Sequence, residues 1–163
     1  MGDLTPKLYG QVERMFEICF TEKINAPADR VWQVITKIED YPHWNSFVEE
    51  CKTTFEVGSE IRMKVRMFPF YAVQQTETIT QYVEGELIEY CLSRPSRSLS
   101  SSRKHIVTSI SENCTEYVSQ FMLDGSLSGM LRLLIGRQLR RGFAAMTRGI
   151  VERSESLTGC SQA

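Results

Sequence analysis

The feature that most constrains the fold is a change of hydrophobic period along the chain. Residues 60–68, "EIRMKVRMF", alternate strictly, with aliphatic and methionine side chains on one face and arginine or lysine on the other. This pattern is typical of a strand that covers a core on one side and meets water on the other. From Leu127 to Glu155 the apolar residues instead recur every three or four positions, which predicts one long helix.

The same reasoning predicts the remaining elements. A short helix at 25–38, with Pro27 in its first turn, is followed by a second helical turn at 39–45. The predicted strands, separated by turn residues, are 15–23, 46–55, 60–68, 71–83, 86–93, 102–110 and 115–123. The sequence therefore predicts an α+β fold in which two short helices follow the first strand, and about seven strands form a curved antiparallel sheet before the long C-terminal helix.

Length and composition limit the classes of function. The 163 residues predict one domain at 15–155, with an N-terminal extension at 1–14 and a flexible tail at 156–163. A net charge of -1 argues against nucleic-acid binding through bulk electrostatics. No apolar run approaches the ~20 residues of a transmembrane helix, and the N-terminus does not resemble a secretory signal. Five scattered cysteines favour reduced thiols, and hence a cytoplasmic location.

The segment 71–83, "YAVQQTETITQYV", places a carboxyl on the more apolar face of a strand. Glu77 shares that face with Gln75, Ile79, Gln81 and Val83, whereas threonines dominate the other face. Glu77 either pairs with a basic side chain or solvent, or projects into a buried pocket. In a pocket, burial would raise its carboxyl pKa and suit it to proton transfer next to a carbonyl.

Three further polar side chains are candidates for the same pocket. Tyr90 shares its face with Ile88 and Leu92, so it is expected to point inward, where its hydroxyl needs a partner. Tyr117 is expected to point inward as well. His105 lies on the less apolar face of its strand, so an exposed side chain is expected, with a catalytic role as the alternative.

The C-terminal helix carries a broad apolar stripe that should face the sheet, formed by Leu131, Leu134, Ile135, Leu139, Met146 and Ile150. Gly142 and Gly149 lie near the middle of this stripe. Each costs about 1 kcal/mol relative to alanine in a helix, so they serve either close packing or a ligand volume. Arg132, at the edge of the stripe, could neutralise an acidic ligand or extend into solvent.

The outer side of the helix is basic, with Arg137, Arg140, Arg141 and Arg148 and no acidic residue between Leu127 and Val151. Such a face could receive an acidic partner, for example an acyl carrier protein, or an anionic membrane surface. It could equally be a solvated surface balanced by acids elsewhere.

Absent motifs restrict the chemistry. The sequence contains no nucleophile elbow, phosphate-binding loop or dinucleotide fingerprint. Its two histidines, His43 and His105, are far apart and lie near no cysteine pair, so a zinc site is not expected. We therefore expect neither a metal nor a nucleotide cofactor, and any catalysis would depend on acid and base groups in a dry pocket.

Two segments resemble the helix-grip superfamily that includes START domains, the Bet v 1 group and polyketide cyclase/dehydrase-like proteins. Ile24–Glu50, "INAPADRVWQVITKIEDYPHWNSFVEE", is similar to its strand end, Ala-Pro, Val-Trp helix and Tyr-Pro-x-Trp-Asn turn. Ser128–Glu155, "SGMLRLLIGRQLRRGFAAMTRGIVERSE", resembles the closing helix of the small bacterial members. A third, weaker match is "TETITQYVEGELIEY".

The resemblance implies a sheet wrapped around the long helix, with a mostly apolar cavity between them that binds a hydrophobic small molecule. Members bind lipids, sterols, quinones, hormones or polyketide intermediates, and the fold does not choose among these. The leading hypothesis is a cyclase- or dehydratase-like enzyme of secondary metabolism that acts on a polyketide-like or other carbonyl-bearing intermediate. The alternative is a non-catalytic carrier of a lipid, quinone or similar ligand. The candidate catalytic residues are Glu77, Tyr90 and His105. The candidate ligand-binding residues are Trp44, Asn45, Met63, Met67, Gln75, Tyr117, Arg132, Leu139, Gly142 and Met146.

Overall fold

The computed structural model describes residues 15–159. The predicted extension at 1–14 and the end of the predicted tail, 160–163, lie outside the described residues. The elements, in chain order, are β1 (Met15–Ile24), α1 (Ala28–Thr36), a 3₁₀ turn (Ile38–Asp40), α2 (Tyr41–Trp44), β2 (Val48–Lys52), β3 (Glu60–Phe68), β4 (Tyr71–Val83), β5 (Leu87–Leu92), β6 (Ser100–Ser111), β7 (Cys114–Asp124) and α3 (Ser128–Gly159).

The strands form one antiparallel sheet in the order β1-β7-β6-β5-β4-β3-β2. The helix α3 contacts β1 at one edge and β3 near the other edge, so the sheet curls around the helix. The predicted α+β helix-grip architecture is confirmed, with seven strands and two short helices after the first strand. The core lies between the concave face of the sheet and α3.

An irregularity in β4 changes which of its side chains face inward. Glu77 and Ile79 are buried, as the alternation predicts. The pairing with β5 then shifts between Ile79 and Gln81, which leaves an extra residue in β4. Beyond that bulge Tyr82 packs against Trp32, with ring centroids 5.8 Å apart. The prediction that Gln81 and Val83 share the inner face was therefore wrong, since both are exposed.

The helix α3 differs from its predicted form in two respects. It continues to Gly159, so residues 156–159 of the predicted tail are helical. The apolar stripe includes Phe143, which is buried, but not Leu134, which is 61% exposed. The inner face is thus rotated slightly away from Leu134, toward the side on which Phe143 meets the sheet.

The two helix glycines serve close packing with aromatic rings. A Cβ atom on Gly142 would lie 2.1 Å from the ring of Phe47, and one on Gly149 would lie 2.8 Å from the ring of Trp44. Neither distance is possible between real atoms, so the two rings occupy notches in the helix. Of the two roles considered for these glycines, the structure shows close packing.

The segment between α2 and β2 is fixed by local hydrogen bonds. The hydroxyl of Tyr41 donates to the carbonyl oxygen of Ile35 at 2.7 Å. The side-chain oxygen of Asn45 accepts from the backbone amides of Phe47 and Val48 at 3.1 and 2.9 Å. This turn, typical of asparagine, starts β2 and directs the Phe47 ring toward α3.

Candidate functional site

A cavity of about 410 Å³ lies between the sheet and the first half of α3. Its walls are mostly aliphatic, methionine and phenylalanine side chains from β2, β3, β4, β5, β7 and α3. The residues that line it include Phe47, Met63, Met67, Phe68, Gln75, Glu77, Tyr90, Leu99, Arg103, Phe121, Leu131, Leu139 and Phe143. Such a cavity is large enough for a small organic molecule.

The cavity opens at one end of the sheet. Phe68 lines it and is 41% exposed, and it lies at the β3 end where the chain turns into β4. The start of β6, with Leu99 and Ser101, and the first turns of α3 line the same region. The β5–β6 loop is joined to the start of α3, because the Leu127 amide donates to the Ser98 carbonyl oxygen at 3.0 Å.

Glu77 places a carboxyl on the cavity wall. Its side chain is 6% exposed, and Oε1 accepts a hydrogen bond from Nε2 of Gln75 at 3.2 Å, while Oε2 has no partner among the described residues. Burial raises the pKa of this carboxyl to about 7, an effect opposed by the Gln75 hydrogen bond and by the charge of Arg103. Near neutral pH the Glu77 carboxyl is therefore ionised in many of the molecules and protonated in many others.

Arg103 brings a cation into the same cavity. The residue is 2% exposed, and its Nη1 donates to the Gln120 carbonyl oxygen at 3.0 Å. Its guanidinium carbon lies 4.6 Å from the centre of the Phe143 ring, a cation–π distance. Nε and Nη2 have no partner among the described residues. Buried charges are normally paired, so these two donors are suited to an acceptor on a ligand.

Strand pairing places the carboxyl and the guanidinium on either side of β5. Glu77 is opposite Leu92, whereas Arg103 is opposite Tyr90, two residues earlier on the same strand. Because neighbouring strands lie about 4.8 Å apart, the two backbones are separated by roughly 10 Å across β5. A molecule between the two side chains could therefore contact both of them.

A chain of three buried side chains adjoins the cavity. The Tyr90 hydroxyl lies 3.4 Å from Nε2 of His105, and Nδ1 of His105 lies 2.8 Å from the Tyr117 hydroxyl. Burial lowers the pKa of His105 and raises the pKa values of both tyrosines, so all three groups are neutral at pH 7. One ring nitrogen then donates and the other accepts.

His105 was expected to be exposed, but the structure buries it. The side chain is 2% exposed, and Arg103, His105 and Val107 form the inner face of β6. The prediction was wrong because it assigned the more apolar residues, Ile106 and Ile110, to the interior. Hydrogen bonds to the two tyrosines make burial of the histidine possible.

The structure brings some of the predicted site residues together and separates others. Met63, Met67, Gln75, Glu77, Tyr90 and Leu139 line the cavity. His105 and Met146 instead line a small adjoining void of about 10 Å³. The remaining predicted residues are not part of the cavity lining: Trp44, Asn45, Tyr117, Arg132 and Gly142.

These five residues have other positions. Trp44 and Gly142 belong to the packing of aromatic rings against α3, and Asn45 holds the turn before β2. Tyr117 is fully buried behind His105. Arg132 is exposed on α3. The four arginines of the predicted docking face, Arg137, Arg140, Arg141 and Arg148, are exposed as well, and an acyl carrier protein as their partner stays a prediction.

Several residues of the cavity are not among those predicted from the sequence, and the most important of them are Phe47, Arg103 and Phe143. Charged side chains are almost never fully buried unless they are paired, so an arginine in a strand gives by itself no indication of a buried site. The available signal was its spacing, because Arg103 and His105 are two residues apart and must share one face of the strand. Among residues 15–159 no three histidine, cysteine or acidic side chains form a group that could hold a metal ion.

The sequence profile of the family described as "Polyketide cyclase / dehydrase and lipid transport" matches residues 15–155. The chain belongs to this family. No curated protein sequence matches it at a significant level.

Several solved structures share the fold of this chain. The Zhui aromatase/cyclase from Streptomyces sp. R1128 superposes with a TM-score of 0.70 at 16% identity, covering 86% of this chain and 94% of that one. A START superfamily protein from Mycobacterium smegmatis gives 0.66 at 16% identity, with 86% and 98% covered. Norcoclaurine synthase from Thalictrum flavum gives 0.65 at 14% identity, with 88% and 96% covered. At these identities the likeness establishes the fold and leaves the activity open.

Proposed function

We propose that the protein binds an apolar carbonyl compound in the cavity and moves a proton at the carbon next to its carbonyl group. The observation that supports this proposal is the pair formed by Glu77 and Arg103, two residues that line an otherwise apolar cavity and that each keep a buried side-chain atom without a hydrogen-bond partner among the described residues. One side chain is a base with a pKa near 7, and the other is a hydrogen-bond donor of fixed charge.

In the proposed step the Glu77 carboxylate removes the proton. The carbon–hydrogen bond breaks, a carboxyl O–H bond forms, and the electron pair moves onto the carbonyl oxygen as an enolate. Nε and Nη2 of Arg103 donate to that oxygen, where the negative charge develops. A base is most effective when its pKa is near the working pH, and donors already in place stabilise the charge without reorganisation.

The enolate permits either outcome associated with the family. Its carbon can attack a second carbonyl of the same molecule, which closes a ring, or it can expel a hydroxyl group from the neighbouring carbon, which leaves as water. The neutral Tyr90 hydroxyl on the cavity wall is a candidate proton donor to the departing oxygen. The apolar walls would hold a flexible substrate folded, which removes part of the entropic barrier to ring closure.

The proposal can be tested with 2-tetralone, a small apolar ketone with exchangeable protons beside its carbonyl. Proton NMR in deuterated buffer would follow the loss of those protons. We expect the wild-type protein to accelerate exchange with saturation, and Glu77→Gln to lose at least about 100-fold of that rate, within the range of a lost general base. Glu84→Gln, at an exposed carboxyl just after β4, is the matched control and should retain the wild-type rate. Full activity in Glu77→Gln would refute the assignment of the base.

A second candidate function is non-catalytic carriage of a hydrophobic ligand. The apolar character of most of the lining favours it, because a carrier needs few convergent polar groups. Native mass spectrometry of the purified protein would detect a retained ligand. Saturable binding of 2-tetralone without any acceleration of exchange would support the carrier and contradict the enzyme.

A further inference from the structure

Apolar side chains are concentrated on the outer surface around the cavity opening. The turn between β3 and β4 presents Phe70, which is 99% exposed, and Tyr71. The outer side of the first turns of α3 presents Met130, Leu133 and Leu134, of which Leu133 is 87% exposed. Phe68 and Leu131, their neighbours in the chain, line the cavity itself. We refer to the five exposed residues on the outer surface as the entrance rim: Phe70, Tyr71, Met130, Leu133 and Leu134.

The two ends of the sheet differ in how many large apolar side chains they expose. Eight of the eleven large apolar residues that are exposed in the described part of the chain lie at the end with the opening. The other three, Val57, Val83 and Ile110, lie near separate turns at the opposite end. Scattered exposed apolar residues are normal, whereas a concentration of them marks a surface that binds a membrane or a protein.

Arginine side chains lie beside the entrance rim. Arg132 and Arg137 are exposed on α3, and Arg94 and Arg97 are exposed in the loop before β6. That loop is held against the start of α3, because the Ser126 amide donates to the Arg97 carbonyl oxygen at 3.4 Å. None of the four arginines forms an ion pair within the described residues.

We propose that the entrance rim docks on an anionic phospholipid bilayer, so that an apolar ligand passes between the membrane and the cavity. Exposed aromatic and aliphatic side chains would enter the interface between headgroups and acyl chains, while the arginines would contact the phosphates. A second copy of this chain fits less well, because a symmetric contact would bring the arginines of both copies together. The inference concerns the surface, and it does not depend on the chemistry proposed for Glu77.

The test is flotation of the full-length protein with vesicles of phosphatidylcholine alone or with about 30% phosphatidylglycerol. We expect tighter binding to the anionic vesicles, by about five-fold for each arginine engaged, and weaker binding as salt is added. The Phe70→Ser/Leu133→Ser double variant should bind at least about 10-fold more weakly. It should still bind 2-tetralone in solution, because neither residue lines the cavity.

Matched controls come from surfaces away from the opening. Ile110→Ser removes an exposed apolar side chain at the opposite end of β6, and Arg148→Glu reverses a charge about 16 Å further along α3 than Arg137. Both should bind vesicles like the wild-type protein, whereas Arg132→Glu/Arg137→Glu should lose the preference for anionic vesicles. Absence of vesicle binding, or equal losses in the controls and the rim variants, would overturn the proposal. A dimer in light scattering that dissociates in the Phe70→Ser/Leu133→Ser variant would assign the rim to self-association instead.

Discussion

Two groups of polar side chains lie on the inner surface of the sheet, and they differ in how their hydrogen bonds are satisfied. Tyr90, His105 and Tyr117 bond to one another within the protein. Glu77 and Arg103 line the cavity, and each keeps buried side-chain atoms without a partner among the described residues. A buried polar group without a partner costs free energy. The difference indicates that the hydrogen bonds of the first group stabilise the fold, although Tyr90 also reaches the cavity, whereas the second group is arranged for a molecule from outside.

The largest effect should come from replacing Arg103 with methionine, which keeps much of its apolar volume and removes its donors. We expect the exchange rate of 2-tetralone to fall about 100- to 1,000-fold, which is typical for loss of one donor to a developing oxyanion. The free energy of unfolding should stay the same or rise, since an incompletely paired buried charge is removed. Rate measurements and urea unfolding of the same samples would check both parts. A large loss of stability together with an unchanged rate would move Arg103 into the structural group.

Glu77 should make the protein less stable as the pH rises. Its pKa is about 7 in the folded protein and 4.5 in a model peptide, so the folded state holds the proton more tightly. The resulting stabilisation is complete below the unfolded pKa and is lost as the pH rises through about 7. One pKa unit corresponds to about 1.4 kcal/mol. Because only part of this stabilisation is lost between roughly pH 5 and pH 8, Glu77→Gln should remove about 2.5 kcal/mol of pH dependence over that interval. Urea unfolding of wild type and variant at both pH values measures this difference, and parallel pH profiles would contradict it.

The smallest of the three effects is expected for Tyr117→Phe, which removes one hydroxyl and leaves Nδ1 of His105 without its partner. We expect a loss of about 1 to 2 kcal/mol in the free energy of unfolding, with less than about a three-fold change in the exchange rate. Tyr71→Phe, at an exposed tyrosine, is the control and should change neither quantity. A rate loss as large as that of Arg103→Met would assign the tyrosine–histidine chain a direct part in catalysis.

Most of the fold could be predicted from the sequence because it depends on local patterns. Alternation identified the strands, and the three- to four-residue period identified α3. The failures have local physical causes. The bulge after Ile79 reverses the inner and outer faces of β4, so Tyr82 points inward where alternation favours Val83. A bulge of one residue leaves no clear trace in the hydrophobic pattern.

The candidate site could be predicted only in part. Glu77 was recognised because it interrupts an apolar face, and the structure places it on the cavity wall. Arg103 and the burial of His105 were missed because polarity was taken as a sign of exposure. Their positions depend on partners that are distant in sequence, namely the Gln120 carbonyl, the Phe143 ring and the Tyr117 hydroxyl. Contacts of this kind become visible only after the sheet has been assembled.

The notches at Gly142 and Gly149 have a consequence for the motion that admits a ligand. The Phe47 and Trp44 rings seated in them pack the middle of α3 tightly against the end of α2 and the segment between α2 and β2. The first two turns of α3 lie before both notches, and they carry the exposed leucines beside the opening. We therefore expect any widening of the cavity to be greatest at the end at which the ligand enters, where α3 is not held by these two rings.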